Sequence, residues 1–227
     1  MRFGKINYLN LVPFDIFIKR YPTTSAFKAF INHHKSSPLN YPAKLNKDFL
    51  FKRIDAGFIS SIAGARARKT HSGIIAQGEV WSVIVLPKAT KSDCQSASSN
   101  ALARILGIKG EVLIGDRALR HKLNGGEYID LGLAWWEKHR LPFVFGLLCF
   151  NKNADFYNKI SRRFNAKRVK IPQYLLEIYA RNSSVAKNDI LEYLTHIYYK
   201  IGTKEKTALF RFYRAVRINR IKSPKRI

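Results

Sequence analysis

Acidic residues are scarce in this chain: 15 Asp and Glu against 41 Lys and Arg, leaving a formal charge of +26 over 227 residues. Cysteine is nearly absent as well. Cys94 and Cys149 stand 55 residues apart with no CxxC or Cys/His ligand spacing, so a disulfide framework and a zinc knuckle are both excluded, and two reduced thiols are expected. No run of about 18 apolar residues occurs, which rules out an apolar membrane-spanning helix. The opening MRFGKINYLNLVPF lacks an uninterrupted apolar stretch and a small-residue cleavage site, so a cytoplasmic location is expected. Neither HExxH nor a carboxylate cluster is present, and the six histidines (His33, His34, His71, His121, His139 and His196) are scattered; no metal and no cofactor are expected.

What the chain does have is a core. Hydrophobic residues make up 46% and recur in short clusters throughout, so the chain can bury a sizeable interior and is not disordered. The charge, with a pI near 10.3, is the first mark of a nucleic-acid binder. Yet the basic residues of the C-terminal third, 19 Lys and Arg against 5 acids after Asn151, alternate with apolar ones at helical spacing, as in LFRFYRAVRINRI. That is the pattern of solvated faces on amphipathic helices, and no zinc-finger, RRM or KH signature accompanies it. A nucleic-acid or membrane partner is not expected; a basic field attracting a small anion is compatible with the pattern.

The first half alternates apolar runs with turn signals. Strands are expected at 3–8, 27–31, 56–59, 73–77 and 83–87, and helices from Asn10 onward, over 45–53, and from Ser60-Ser61 toward Ala67. This order predicts an α/β sheet with mainly parallel strands. The middle repeats the pattern: a helix after the serine-rich 96–100, a strand at 111–114, a helix at Asp116, another over 131–140, and the apolar run FVFGLLC at 143–149 as a buried strand. Helices alone are expected after Asn151. Two long apolar strands flanking a small α/β segment suggest two lobes: residues 1–84 and 147–227 form one, residues 85–146 the other. The chain would cross twice, with a ligand cleft between the lobes lined by polar residues at strand ends and helix N-termini.

Six segments carry a resemblance: INYLNLVPF (6–14), RIDAGFISSIAG (53–64), GEVWSVIVLPK (78–88), SASSNALARIL (96–106), VLIGDRAL (112–119) and YIDLGLAWWEKHRLPFVFG (128–146). In this order and spacing the chain resembles the chorismate dehydratases of the futalosine route to menaquinone. Two departures are visible: Ser96-Ala97-Ser98-Ser99-Asn100 where the family more often has a Ser-Arg-Thr-Ser-Val type loop, and Trp81 where Arg is usual. The resemblance implies a two-lobed, type II periplasmic-binding-protein-like α/β fold with two crossover strands and a helical C-terminal region. It also implies a cytoplasmic hydro-lyase that removes water from chorismate to give 3-[(1-carboxyvinyl)oxy]benzoate, with the substrate's own enolpyruvyl carboxylate taking the proton. The alternative within the same fold is the sister enzyme making 1,4-dihydroxy-6-naphthoate, whose Ser-Pro-Cys-Pro-Asn-Asp type motif is replaced here by Tyr8-Leu9-Asn10-Leu11-Val12-Pro13. A basic nucleic-acid-associated protein is the alternative of a different class.

Within that reading Asn10 and Ser82 are the expected catalytic hydrogen-bond donors. Ser60, Ser61, Ser98, Ser99 and Asn100, at two helix N-termini facing across the cleft, are the expected binding residues for the two carboxylates of chorismate. Asp116 is read as a helix cap, Trp135, Trp136 and Phe143 as core or cleft wall, and Cys149 as an inert thiol. Sequence leaves the oligomeric state open.

Overall fold

The structure is a computed structural model that describes residues 1–36, 41–93 and 95–224; the expected thiol of Cys94 and the last basic residues, 225–227, lie outside the described residues. Eight strands and ten α-helices are described along the chain. The order is β1 (Phe3–Gly4), α1 (Val12–Arg20), α2 (Ser25–Ser36), α3 (Pro42–Leu50), β2 (Ala56–Ser60), β3 (Lys69–Ala76), β4 (Val83–Leu86), α4 (Ala97–Leu106) and β5 (Glu111–Ile114). It continues with α5 (Gly115–Leu123), β6 (Ile129–Asp130), α6 (Leu131–His139), β7 (Phe143–Phe150), α7 (Ala154–Asn165), α8 (Gln173–Ser183), α9 (Lys187–Thr195), β8 (Ile197–Lys200) and α10 (Thr203–Ile218). A single 3₁₀ turn, Leu9–Leu11, leads into α1.

The strands form two sheets. The larger has the order β1-β2-β7-β3-β8 and the smaller β5-β4-β6. Every strand of the smaller sheet comes from residues 83–130, while β7 returns to the middle of the larger one. Val83–Leu86 therefore pairs only within the small sheet, and Phe143–Phe150 only within the large one. The chain crosses between them at 77–82 and again around 140–142.

Several sequence expectations are corrected. The pairing is antiparallel except for β1 with β2, because β7 enters between β2 and β3 against both. Residues 27–31 are helical, within α2. Phe27 and Ile31 are the buried pair, and a spacing of four belongs to a helix where a strand would alternate. After Ser60 the chain turns without forming a helix, because the Ser61 N–H goes across to the Phe145 carbonyl of β7. The strand expected at 3–8 is only two residues long. The C-terminal region is not all helical: Ile197–Lys200 forms the far edge of the large sheet, where Tyr198 pairs with Ile75.

An aromatic cluster organises the large-sheet core. Phe14 from α1 meets Phe3, Phe58 and Phe164 with ring centroids 5.0–5.4 Å apart, mostly edge-to-face. Trp135 and Phe143 are fully buried in the same core, as expected, while Trp136 is half-buried. Cys149 is buried toward the other end of β7, and burial pushes its thiol up to about 12, which keeps it protonated and inert.

Asp130 pins the first crossing to the start of α6. Its buried carboxylate caps α6 by accepting from the N–H groups of Gly132 and Leu133, and also accepts from Val80 (3.0 Å) and Trp81 (2.7 Å) in the first crossing. Burial raises its pKa, opposed by these four N–H donors. Trp81 follows with φ +61°, in the left-handed region, its indole N–H bonded to Glu79 at 2.6 Å.

Candidate functional site

A narrow cavity of about 70 Å³ lies between the two sheets. The large sheet supplies Phe58 and Ser60 from β2, Ile74 from β3, and Phe145 and Gly146 from β7. The other side is Val83, Ile114, Gly115 and the start of α4; Asn10, Val80 and Ser82 close the ends. Four of the expected site residues meet here: Asn10, Ser60, Ser82 and Ser99.

The other three do not line it. Ser61 and Ser98 are buried and spend their hydroxyls on each other at 3.1 Å, with Ser98 Oγ also accepting from the Ile62 N–H. They fasten the end of β2 to α4. Asn100 turns away to grip the backbone of Asp93, accepting from its N–H at 2.9 Å and donating to its carbonyl at 2.7 Å. Arg117 also faces Asp93, at 2.6 Å, and so neutralises that carboxylate.

Three of the four serines in the cavity wall, Ser60, Ser82 and Ser99, share one arrangement. Ser60 Oγ accepts from Asn46 Nδ2 at 2.8 Å, Ser82 Oγ from the Tyr193 hydroxyl at 2.8 Å, and Ser99 Oγ from Ser96 Oγ at 2.7 Å. A hydroxyl has one proton and two lone pairs. Each of these therefore has an acceptor position occupied and its own O–H left to donate. Asn46 is buried and also takes the Ser60 N–H at 3.0 Å, so it fixes both backbone and side chain. Ser96 is the N-cap of α4.

Asn10 sits inside the 3₁₀ turn and caps nothing; the residue before α1 is Leu11. Its carbonyl accepts from the Tyr199 hydroxyl at 2.6 Å, and its side-chain Oδ1 is buried without a hydrogen-bond partner. Tyr193 is fully buried and interacts with both Ser82 and Asn10; burial, first of all, holds its pKa far above the usual phenol range, so it remains a donor. Burial does the same for Tyr199.

Among the described residues, no lysine or arginine lines the cavity. Its positive potential comes from helix ends: α3 begins at Pro42, α4 is capped by Ser96 and α5 begins at Gly115, all in the wall, each N-terminus carrying about half a positive charge. Gly115 has φ +64°, and a Cβ there would meet the Tyr8 ring at 3.0 Å, so glycine is what lets α5 start against that ring. The Tyr8 hydroxyl is held by Gln95 Oε1 at 3.1 Å.

Asp116, the next residue, does not cap its own helix; it accepts from the Leu9 N–H across the interface. Burial raises its pKa to about 6, opposed by that N–H and by Arg120. Sequence reading missed Asn46, Tyr193 and Tyr199. The tyrosines lie in YLTHIYYK, which carries no motif, and only tertiary folding brings them to the cavity. No group of three or more His, Cys, Asp or Glu side chains comes together among the described residues, and no helix there is long and apolar enough to cross a membrane.

Residues 96–217 match the menaquinone biosynthesis family. The chain is 44% identical over 221 residues to the chorismate dehydratase of Campylobacter jejuni subsp. jejuni serotype O:23/36 (strain 81-176), covering 95% of this chain and 97% of that one. A protein of Archaeoglobus fulgidus superposes with a TM-score of 0.68 at 11% identity, covering 97% of this chain and 98% of the other. The alkanesulfonate-binding protein SsuA of Xanthomonas axonopodis pv. citri, bound to MOPS, superposes at 0.54 and 13% identity over 100% and 95%. The periplasmic aliphatic sulphonate binding protein SsuA of Escherichia coli does so at 0.52 and 15% over 100% and 93%. These likenesses give the fold, which is mixed α/β and periplasmic-binding-protein-like. With 44% identity across nearly the whole of both sequences, the chain belongs to the chorismate dehydratase family of menaquinone biosynthesis.

Proposed function

We propose that this protein is a cytoplasmic hydro-lyase that converts chorismate to 3-[(1-carboxyvinyl)oxy]benzoate and water, and that Asn10 and Ser82 are its catalytic donors. The C–H bond at the ring carbon bearing the enolpyruvyl ether breaks, its electron pair forms a ring double bond, and hydroxide leaves the adjacent carbon. The enolpyruvyl carboxylate takes the proton, which with the hydroxide makes the water released. Proximity of that carboxylate replaces a side-chain base.

The observation that carries this reading is the pair formed by Asn10 and Ser82. Ser82 keeps its O–H free because Tyr193 fills its acceptor side, and Asn10 brings its side-chain amide to the same cavity, the amide N–H as the donor and the buried Oδ1, without a partner, as an acceptor for the departing hydroxyl. An uncharged O–H or amide N–H stabilises developing negative charge without competing for the proton, and a pre-set donor does so without reorganisation. Ser60 and Ser99, with the helix ends behind them, bind the carboxylates. Ser61, Ser98 and Asn100 hold the frame around them.

The two sheets are the cores of two lobes, divided in the sequence reading as 1–84 with 147–227 and 85–146. We divide them at 77–82 and 140–142, where the chain leaves one sheet for the other. A cavity of about 70 Å³ is below the usual size of small-molecule sites, about 300–1,000 Å³. Substrate therefore enters when the lobes part, and Asp130 holds the first crossing segment against the start of α6.

The test is direct. Purified protein incubated with chorismate alone yields a product lighter by one water, with loss of the diene absorbance. His139→Ala, outside the cavity, retains this turnover. No product between pH 6 and 9 from a folded, monodisperse sample overturns the assignment. Accumulation of a different product would point to the sister activity.

A further inference from the structure

A second cavity shares no lining residue with the first and measures about 370 Å³. Its floor is apolar: Ile16, Phe17 and Tyr21 are buried, and half-buried Val169 lies against them. Its rim is cationic. Arg20 comes from the last turn of α1, Arg163 from the last turn of α7, and Lys167, Arg168 and Lys170 from the connection to α8. All five are exposed, no carboxylate lines the cavity, and none of the five makes an ion pair among the described residues. The Arg163 guanidinium lies 5.6 Å from the Tyr21 ring centre.

Two helix C-termini meet here, and cations near such ends are ordinary. Their combined dipole charge amounts to about one negative charge, against five positive ones. The adjacent carboxylate, Asp15, is buried and already committed to Lys5 at 3.2 Å and to the Tyr179 hydroxyl at 2.5 Å. The rim charge is thus far in excess of what the fold neutralises locally. An extended polyanion would need a charged track, whereas this is a ring of cations around a greasy floor.

We propose that the groove binds a small anionic amphiphile, one carboxylate or phosphate head on an aliphatic or aryl body. The head sits among Arg163, Lys167, Arg168 and Lys170, and the body lies on Ile16, Phe17 and Tyr21. The volume is within the range of small-molecule sites.

The experiment titrates octanoate into the full chain by calorimetry, with octan-1-ol and inorganic phosphate as partial ligands. Octanoate binds one site, at least tenfold more tightly than either partial ligand, and added salt weakens it. Arg163→Glu combined with Lys167→Glu lowers octanoate affinity at least tenfold with the melting temperature preserved; if that pair fails to fold, Arg168→Glu with Lys170→Glu, both in the connection, takes its place. Equal binding of octanol, equal binding of phosphate, or full octanoate affinity in the charge-reversed chain each overturns the proposal. So does competition with chorismate, which would place octanoate in the serine-lined cavity. Failure of octanoate alongside binding of an acidic peptide would make the groove a protein-docking surface instead. Chorismate turnover is read separately in every variant, so loss of the proposed activity and loss of this site are distinguishable.

Discussion

The two cavities solve the problem of negative charge in opposite ways. Of the described lysines and arginines of a chain carrying +26, none stands in the wall of the cavity assigned to a dianion, and five surround an apolar groove elsewhere. The first uses neutral donors and helix ends, the second mobile point charges. The difference follows from what each must do. A full cation beside the substrate would hold the ground-state carboxylates as firmly as the transition state and gain nothing in rate, while neutral donors aimed at the place where charge develops act selectively. Asp130 shows the same economy inside the fold, a buried carboxylate satisfied by four backbone N–H groups.

The largest effect expected is at the neutral cavity. Asn10→Ala or Ser82→Ala should reduce turnover about a hundred- to a thousandfold, or about 2.7–4 kcal/mol, with the melting temperature nearly unchanged. Asn10→Asp should bind chorismate worse than Asn10→Ala, since a new anion would face two others. Steady-state kinetics on the three variants decides this, and an active Asn10→Ala would break the comparison at its centre.

Asp130→Ala tests whether dipoles alone can carry a carboxylate. It strands several buried donors and removes a helix cap, so denaturant unfolding should show a loss of at least about 3 kcal/mol. A change below about 1 kcal/mol would mean that water replaces the carboxylate easily.

Tyr193→Phe should have a smaller effect, about tenfold in turnover, or about 1.4 kcal/mol for one lost hydrogen bond. The pH profile should keep its shape, because the buried phenol does not titrate in the working range. A shifted profile would instead make Tyr193 a proton carrier.

The mildest change concerns Asp116. Its pKa, about 6 in the folded chain, is raised above the ordinary 3.8, so between these values the folded state holds the extra proton. Stability should therefore fall as pH rises from about 4 through 6 and stay reduced above it. Asp116→Asn removes that penalty, so it should raise stability at pH 7.5 by at most about 3 kcal/mol and leave it little changed at pH 4. Thermal melts at the two pH values measure this.

Much of the cavity was legible in sequence because its residues sit at strand ends and helix starts, where local signals are strong. Asn10, Ser60, Ser82 and Ser99 were found that way. Ser61 and Ser98 carry the same local signal but point to each other, a choice made by the packing of β2 against α4 and not by either segment alone. The tyrosines behind Ser82 and Asn10 come from residues 193 and 199, more than a hundred positions away, and no periodicity reports such a meeting. Strand direction was misread for a related reason. Alternation of strands and helices suggests parallel crossovers, but the return of β7 between β2 and β3 depends on where the chain goes over the 66 intervening residues.

That late return of β7 has a consequence for how the protein is made. The small sheet can close as soon as Asp130 has emerged, since all its strands lie within residues 83–130. Strand β3 must wait for both of its neighbours, β7 and β8. At about 5–20 residues per second, the stretch from Ala76 to Phe143 takes about 3–13 s to leave the ribosome. Throughout that interval the apolar segment Gly73–Ala76 has two unpaired edges, open to any other strand it meets. The newborn chain is thus most exposed to misassociation in the stretch that, once folded, lends Ile74 to the wall of its cavity.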